Sequence, residues 1–124
     1  MKITIEMSKG AYPIAKKVYA GQLSRFDGKV EINKSTGMNE GSAQAFLVIF
    51  LAMMNGETYK RAFNNETNDF LLESIKQDFG LYYYNNALNA VQKHINYYST
   101  LGKGNLTGLQ RIVDRKVIEL KMQG

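Results

Sequence analysis

Apolar residues recur at spacings of three and four along most of this chain. Glycine and asparagine separate the segments that carry them, and proline occurs once, at Pro13. That periodicity belongs to helices with one buried face. The clearest stripe is Leu81, Tyr84, Leu88, Val91, Ile95 and Tyr98, with Tyr83, Ala87, Ala90, His94 and Tyr97 beside it. It predicts a helix over about 81–100. Leu106, Leu109, Val113, Val117 and Leu120 predict a last helix over about 106–121, capped by Asn105. Asn65 opens a helix of about 66–79 with Leu72, Ile75 and Phe79 inward, ended by Gly80. The run AFLVIFLAMM predicts a central helix of about 40–55, apolar nearly all round, with Asn39 as its N-cap and Asn55-Gly56 as its close.

The first third is less regular. Ser24 opens a helix of about 25–35 that turns Phe26, Val30 and the stems of Ile32 and Lys34 inward. Gly28 weakens it by about 1 kcal/mol against alanine. Gly37 breaks it, and Met38-Asn39 makes a tight turn. Before it, Ser8 caps a helix of about 9–20, with Ala11, Ile14, Ala15 and Val18 inside, Lys16 and Lys17 outside, and Pro13 in the first turn. Met1–Met7 alternates weakly and reads as a short strand or a loose lead-in. The expectation is one all-α domain over 1–124, a bundle of five to six helices with a helix-turn-helix-like unit, and 1–8 as a loose or extended lead-in.

Composition narrows the function classes. With no cysteine and one histidine, thiolate chemistry and paired-histidine metal sites are excluded, and no nucleophile elbow or phosphate loop is present. Glu66, Asp69 and Glu73 share a helix face by spacing, and a solvated acidic first turn accounts for them. His94 reads as a packed or rim histidine. No catalytic residue, metal or cofactor is expected. No apolar run approaches the roughly 20 residues of a membrane span, and MKITIEMSKG lacks a stretch of signal-peptide length, so a cytoplasmic location is expected. The net charge is +5. Residues 1–65 carry nine Lys/Arg against five Asp/Glu, and residues 66–124 seven against six. A basic first half favours a polyanionic partner.

Ser24 to Gly56 reads helix, glycine turn, helix. In a helix-turn-helix the start of the second helix meets base edges, so Asn39, Ser42 and Gln44 are the candidate base-reading residues. Lys29 and Lys34 before it, and Lys60 and Arg61 after it, are candidate phosphate contacts. Tyr59 adds a candidate hydroxyl for a phosphate. Glu40 counts against this, since a carboxylate repels phosphate.

The string GMNEGSAQAFLVIFLAMMNGETYKRAFN, followed by QDFG and ALNAVQKHINYY, resembles a helical domain at the N-terminus of many bacterial restriction-type endonucleases. There it precedes an HNH or related nuclease domain. The matching pieces are Asn39 with Ser42-Ala43, then Asn55-Gly56 with Tyr59-Lys60-Arg61 and Asn64, then Ala87-Leu88 with His94-Ile95 and Tyr97-Tyr98. The resemblance spans about residues 15–120. It implies target recognition beside a nuclease, in restriction-modification or phage defence, with a nuclease domain or subunit as partner; the helix-turn-helix reading favours duplex over single-stranded DNA. An HNH centre needs at least two histidines, and this chain has one. The alternative is a protein-interaction module, a phage or host regulatory factor that binds a partner or self-associates through the tyrosines of the fifth helix.

Overall fold

The structure is a computed structural model that describes residues 2–123. Six helices follow one another: α1 (Ile5–Tyr19), α2 (Arg25–Thr36), α3 (Glu40–Asn55), α4 (Asn65–Phe79), α5 (Leu81–Ser99) and α6 (Thr107–Gln123). The described residues contain no strand. Contacts divide the chain into two compact units, Met1–Leu51 and Ala52–Gly124. The division falls within α3, so no linker composition marks it in the sequence.

In the first unit α1 starts earlier than its periodicity suggests. Thr4, not Ser8, is the N-cap, its hydroxyl accepting from the Met7 amide at 3.2 Å. Ser8 is wholly buried inside the helix, in line with Ala11 and Ala15. The alternation at Ile3, Ile5 and Met7 therefore lies on the entry and first turn of a helix, not on a strand. Pro13 falls in the middle of α1 and removes the N–H that would meet the Lys9 carbonyl. Both residues are exposed, so water can serve that carbonyl.

Helices α1 and α2 run antiparallel, with Gly10 against Thr36 and Val18 against Gly28. A methyl on Gly28 would stand 2.7 Å from Val18 Cγ2 and 3.3 Å from Leu47 Cδ1. The glycine thus lets three helices approach, which offsets its poor helix propensity. Gly28 and Ile32 are the buried positions of α2. Phe26, expected inside, is 66% exposed. The packed stripe passes through the glycine and leaves the phenyl ring on the outer side. The rings of Tyr12 and Tyr19 stand nearly perpendicular to that of Phe50 of α3, with centroids 5.6 and 6.3 Å from it.

The second unit packs Leu71, Leu72 and Ile75 of α4, Tyr84, Leu88 and Val91 of α5, and Leu109 and Val113 of α6. Asn64, not Asn65, caps α4, accepting from the Thr67 amide at 2.8 Å. A single residue joins α4 to α5. Gly80, at φ 88° and ψ −176°, donates to the Lys76 carbonyl and accepts from the Tyr84 amide. Only glycine adopts that backbone region with ease. Helix α6 opens at Thr107, with the Leu106 carbonyl taking the first helical bond from Gln110, so the N-cap position falls on Leu106 rather than Asn105.

Candidate functional site

The turn between α2 and α3 is three residues long and closed by its own side chains. Gly37 takes the left-handed conformation, φ 79°, and donates to the Asn33 carbonyl. The Thr36 hydroxyl donates to the Ile32 carbonyl at 2.7 Å and accepts from the Met38 amide at 3.1 Å. Asn33 Nδ2 donates to the Met38 carbonyl at 2.9 Å, and the Met38 side chain is wholly buried beneath the turn. Asn39 Oδ1 accepts from the Ser42 amide at 2.8 Å, which makes Asn39 the N-cap of α3. These contacts fix where α3 begins and which face it shows to water.

That face is narrow. Glu40, Gly41, Gln44 and Val48 are exposed, while Ala43, Phe46, Leu47, Ile49 and Phe50 are buried. Gln44 and Val48 line a shallow groove of about 230 Å³ with Arg25, Phe26 and Lys29 of α2, floored by Leu47. Lys29 Nζ lies 4.9 Å from the centre of the Phe26 ring and 3.9 Å from a Glu40 carboxylate oxygen. The expected electrostatic fault at Glu40 is therefore partly offset by Lys29. Lys34 is exposed on the last turn of α2. Ser42 is buried, with its amide on the Asn39 cap, so it shapes the first turn of α3. Arg25, which sequence reasoning passed over, stands directly after the Ser24 cap and four residues before Lys29. That spacing on one helix face was the available signal.

The remaining candidates lie in the second unit, on the segment between α3 and α4. The end of α3 and the first part of this segment are fastened to α5. Asn86 Nδ2 donates to the Met54 carbonyl at 3.0 Å, and Lys93 Nζ to the Gly56 carbonyl at 2.8 Å. The Tyr59 ring stacks on His94 with centroids 4.4 Å apart, while His94 Nδ1 meets the Tyr59 carbonyl at 2.7 Å. A carbonyl only accepts, so that nitrogen carries the proton. The Tyr59 hydroxyl donates to Asn68 Oδ1 at 2.9 Å. Asn68 Nδ2 in turn donates to the Phe63 and Asn64 carbonyls. Lys60 Nζ stands 5.6 Å from the Tyr97 ring centre.

Tyr59 is thus not the surface hydroxyl that its polar neighbours suggested. It is 2% exposed, and burial raises its phenol well above the ordinary range. Its oxygen is committed to Asn68 and cannot also meet a phosphate. Lys60 and Arg61 beside it are exposed. Burial lowers the His94 pKa, partly opposed by the hydrogen bond to the Tyr59 carbonyl. His94 is therefore a packed, hydrogen-bonded histidine.

The acidic face of α4 has a partner that spacing alone did not reveal. Lys116 of α6 is 3% exposed, and its Nζ lies 2.6 Å from Asp69 and 2.5 Å from Glu73. Arg115 adds a contact to Asp69 at 3.9 Å and one to Glu119 at 3.8 Å. Burial, followed by the charges of Glu73, Glu119 and Asp69, raises the pKa of the neighbouring Tyr84, and Arg115 opposes this. These carboxylates join α4 to α6 and are not a solvated first turn. Among the described residues no group of His, Asp and Glu has the arrangement of a metal site. Among the described residues no helix is long and apolar enough to cross a membrane.

Comparison with protein-family models, with characterised proteins and with solved structures found no match.

Proposed function

We propose that the chain is a non-catalytic module that binds duplex DNA through α2 and α3. The observation that carries this is Gln44, exposed on α3, beside Arg25 and Lys29 of α2 across a three-residue glycine turn. Glutamine offers a donor and an acceptor to an adenine edge in the major groove. Arginine and lysine hold the flanking phosphates. Lys34 contributes further positive charge on the same unit. Asn39 and Ser42 serve by setting the first turn of α3. By the family resemblance, the module would serve a nuclease, as a neighbouring domain or as a subunit.

The test is fluorescence anisotropy of a labelled duplex of about 20 base pairs, titrated at about 50 and 200 mM salt. Binding should weaken steeply with salt, by about 0.9 in log–log slope for each phosphate held. Arg25→Ala with Lys29→Ala should lower that slope by about two contacts, and Gln44→Ala should reduce discrimination between sequences. Absence of binding at the lower salt removes the proposal. A second reading then takes precedence, a protein-interaction surface at the start of α5, where Leu81 and Tyr82 are 55% and 72% exposed. Solution mass that rises with concentration, unchanged by DNA, would support it.

A further inference from the structure

The groove between α2 and α3 has an apolar wall that phosphate binding does not require. Single exposed apolar residues are ordinary. Here, however, Phe26 and Val48, the latter 40% exposed, line one groove with Gln44, Arg25 and Lys29. Val48 stands one helical turn beyond Gln44 on the same face of α3, about 6 Å along the axis. That distance spans about two base steps at 3.4 Å each. On base edges in the major groove, the C5 methyl of a pyrimidine is the apolar group that such a wall can meet. The ammonium of Lys29 over the Phe26 ring leaves apolar and cationic surface side by side, as a methylated base edge next to a phosphate demands.

We infer that this wall receives a pyrimidine C5 methyl, so that the protein favours duplexes with thymine or 5-methylcytosine within two base pairs of the base met by Gln44. The inference rests on the DNA-binding proposal and names what that surface recognises. At about 230 Å³ the groove is too small to engulf a drug-sized group, and it is open enough for a base edge to lie along it. The cations at its rim match phosphate on either side.

The test compares four duplexes of one length at about 50 mM salt, where phosphate binding is strong. One carries thymine, and one carries uracil in its place, which removes the methyl and keeps the pairing. One carries cytosine, and one carries 5-methylcytosine. Loss of a contacted methyl should weaken binding about fourfold, the worth of one buried CH₂. A larger response in the thymine–uracil pair assigns the methyl to thymine. A larger response in the cytosine pair assigns it to 5-methylcytosine. Val48→Ala should abolish the difference while leaving the salt slope unchanged, and circular dichroism checks that this exposed-site variant folds. Equal affinity for all four duplexes with a steep salt slope overturns the inference and leaves duplex binding standing. If no duplex binds, and an acidic peptide with a leucine anchor instead shifts the resonances of Phe26 and Val48, both are overturned.

Discussion

Removing one oxygen atom from Tyr59 separates two roles that the sequence allowed it. In Tyr59→Phe the ring keeps its stack on His94, and the backbone carbonyl still takes the His94 proton. What is lost is the bond to Asn68 Oδ1, in a place where Asn68 is wholly buried and water has little access. A hydrogen bond contributes about 0.5–1.5 kcal/mol net, and a buried group left without its partner costs about 1–3 kcal/mol. Tyr59→Phe should therefore lower stability by about 1–2 kcal/mol. Asn68→Ala should cost more, about 2–3 kcal/mol, because it strands the phenol and removes two donations to the Phe63 and Asn64 carbonyls. The double variant should show a coupling of about 1 kcal/mol. Guanidinium unfolding followed by circular dichroism measures all four proteins, with the slope required to stay constant. Affinity of Tyr59→Phe for DNA should match the parent once both are folded. A stability loss under about 0.3 kcal/mol together with weakened DNA binding would refute the reasoning and return the hydroxyl to the surface.

Gly80→Ala should cost about 1–3 kcal/mol, because the residue lies at φ 88° and ψ −176° with nothing within 4 Å of an added methyl. A chemically made chain with D-alanine there should be as stable as the parent or more so, and equal costs for the two hands would exclude a backbone cause. His94 is the only histidine, and its folded pKa lies below the unfolded value of about 6.5. The unfolded chain thus binds the proton first, and stability should fall as pH drops from about 7 toward the folded pKa, then level off. In His94→Gln, unfolding midpoints across that window should lose this dependence. Lys116→Met, which keeps the buried stem and leaves two partly exposed carboxylates to water, should cost no more than about 2 kcal/mol, whereas Lys116→Glu should cost more than about 3 kcal/mol, both read from thermal unfolding.

Helix ends were legible wherever a local cap set them. Ser24, Gly37, Asn39, Gly56 and Gly80 all act within four residues of themselves, and the helices they bound fall where the pattern put them. The misplaced boundaries have local causes too. Asn64 and Asn65 are adjacent and chemically identical, so backbone geometry alone chooses between them. At the first helix, Ser8 looks like a cap because it is a serine, yet it continues the buried line of Ala11 and Ala15. What the sequence hid was long-range. Lys116 and Glu73 meet across 43 positions, and His94 and Tyr59 across 35. No window of hydrophobic spacing reports such pairs, so Tyr59 read as a loop hydroxyl and Asp69 and Glu73 as solvated charge. Phe26 failed in the opposite sense, since a small residue, Gly28, marks the face of α2 that packs.

The fold also sorts the candidate binding residues by what their polar atoms already do. Met54, Gly56, Tyr59 and Lys60 are the residues through which the end of α3 and the segment after it meet Asn86, Lys93, His94 and Tyr97 of α5. The most distinctive strings in the chain are therefore largely two halves of one internal docking device. A side chain whose donors and acceptors are satisfied inside the protein must break those bonds before it can serve a ligand, at about 1–3 kcal/mol for each buried group. This weighs against Tyr59, and against Asn39 as long as α3 is to keep its first turn. It does not weigh against Arg25, Lys34, Gln44 or Arg61, which are exposed polar side chains at the start of α2, at its end, on α3 and on the segment after α3. Under the DNA-binding proposal, contacts are better sought on Arg25, Lys34 and Gln44 of the first unit than on Tyr59 or Asn39. Of these, Gln44 offers a donor and an acceptor to one base edge, whereas Arg25 and Lys34 carry only donors, and their contacts with phosphate are the same in every sequence. If the chain binds DNA as proposed, Gln44→Ala should change how affinity depends on sequence, and Arg25→Ala or Lys34→Ala should chiefly change how it depends on salt.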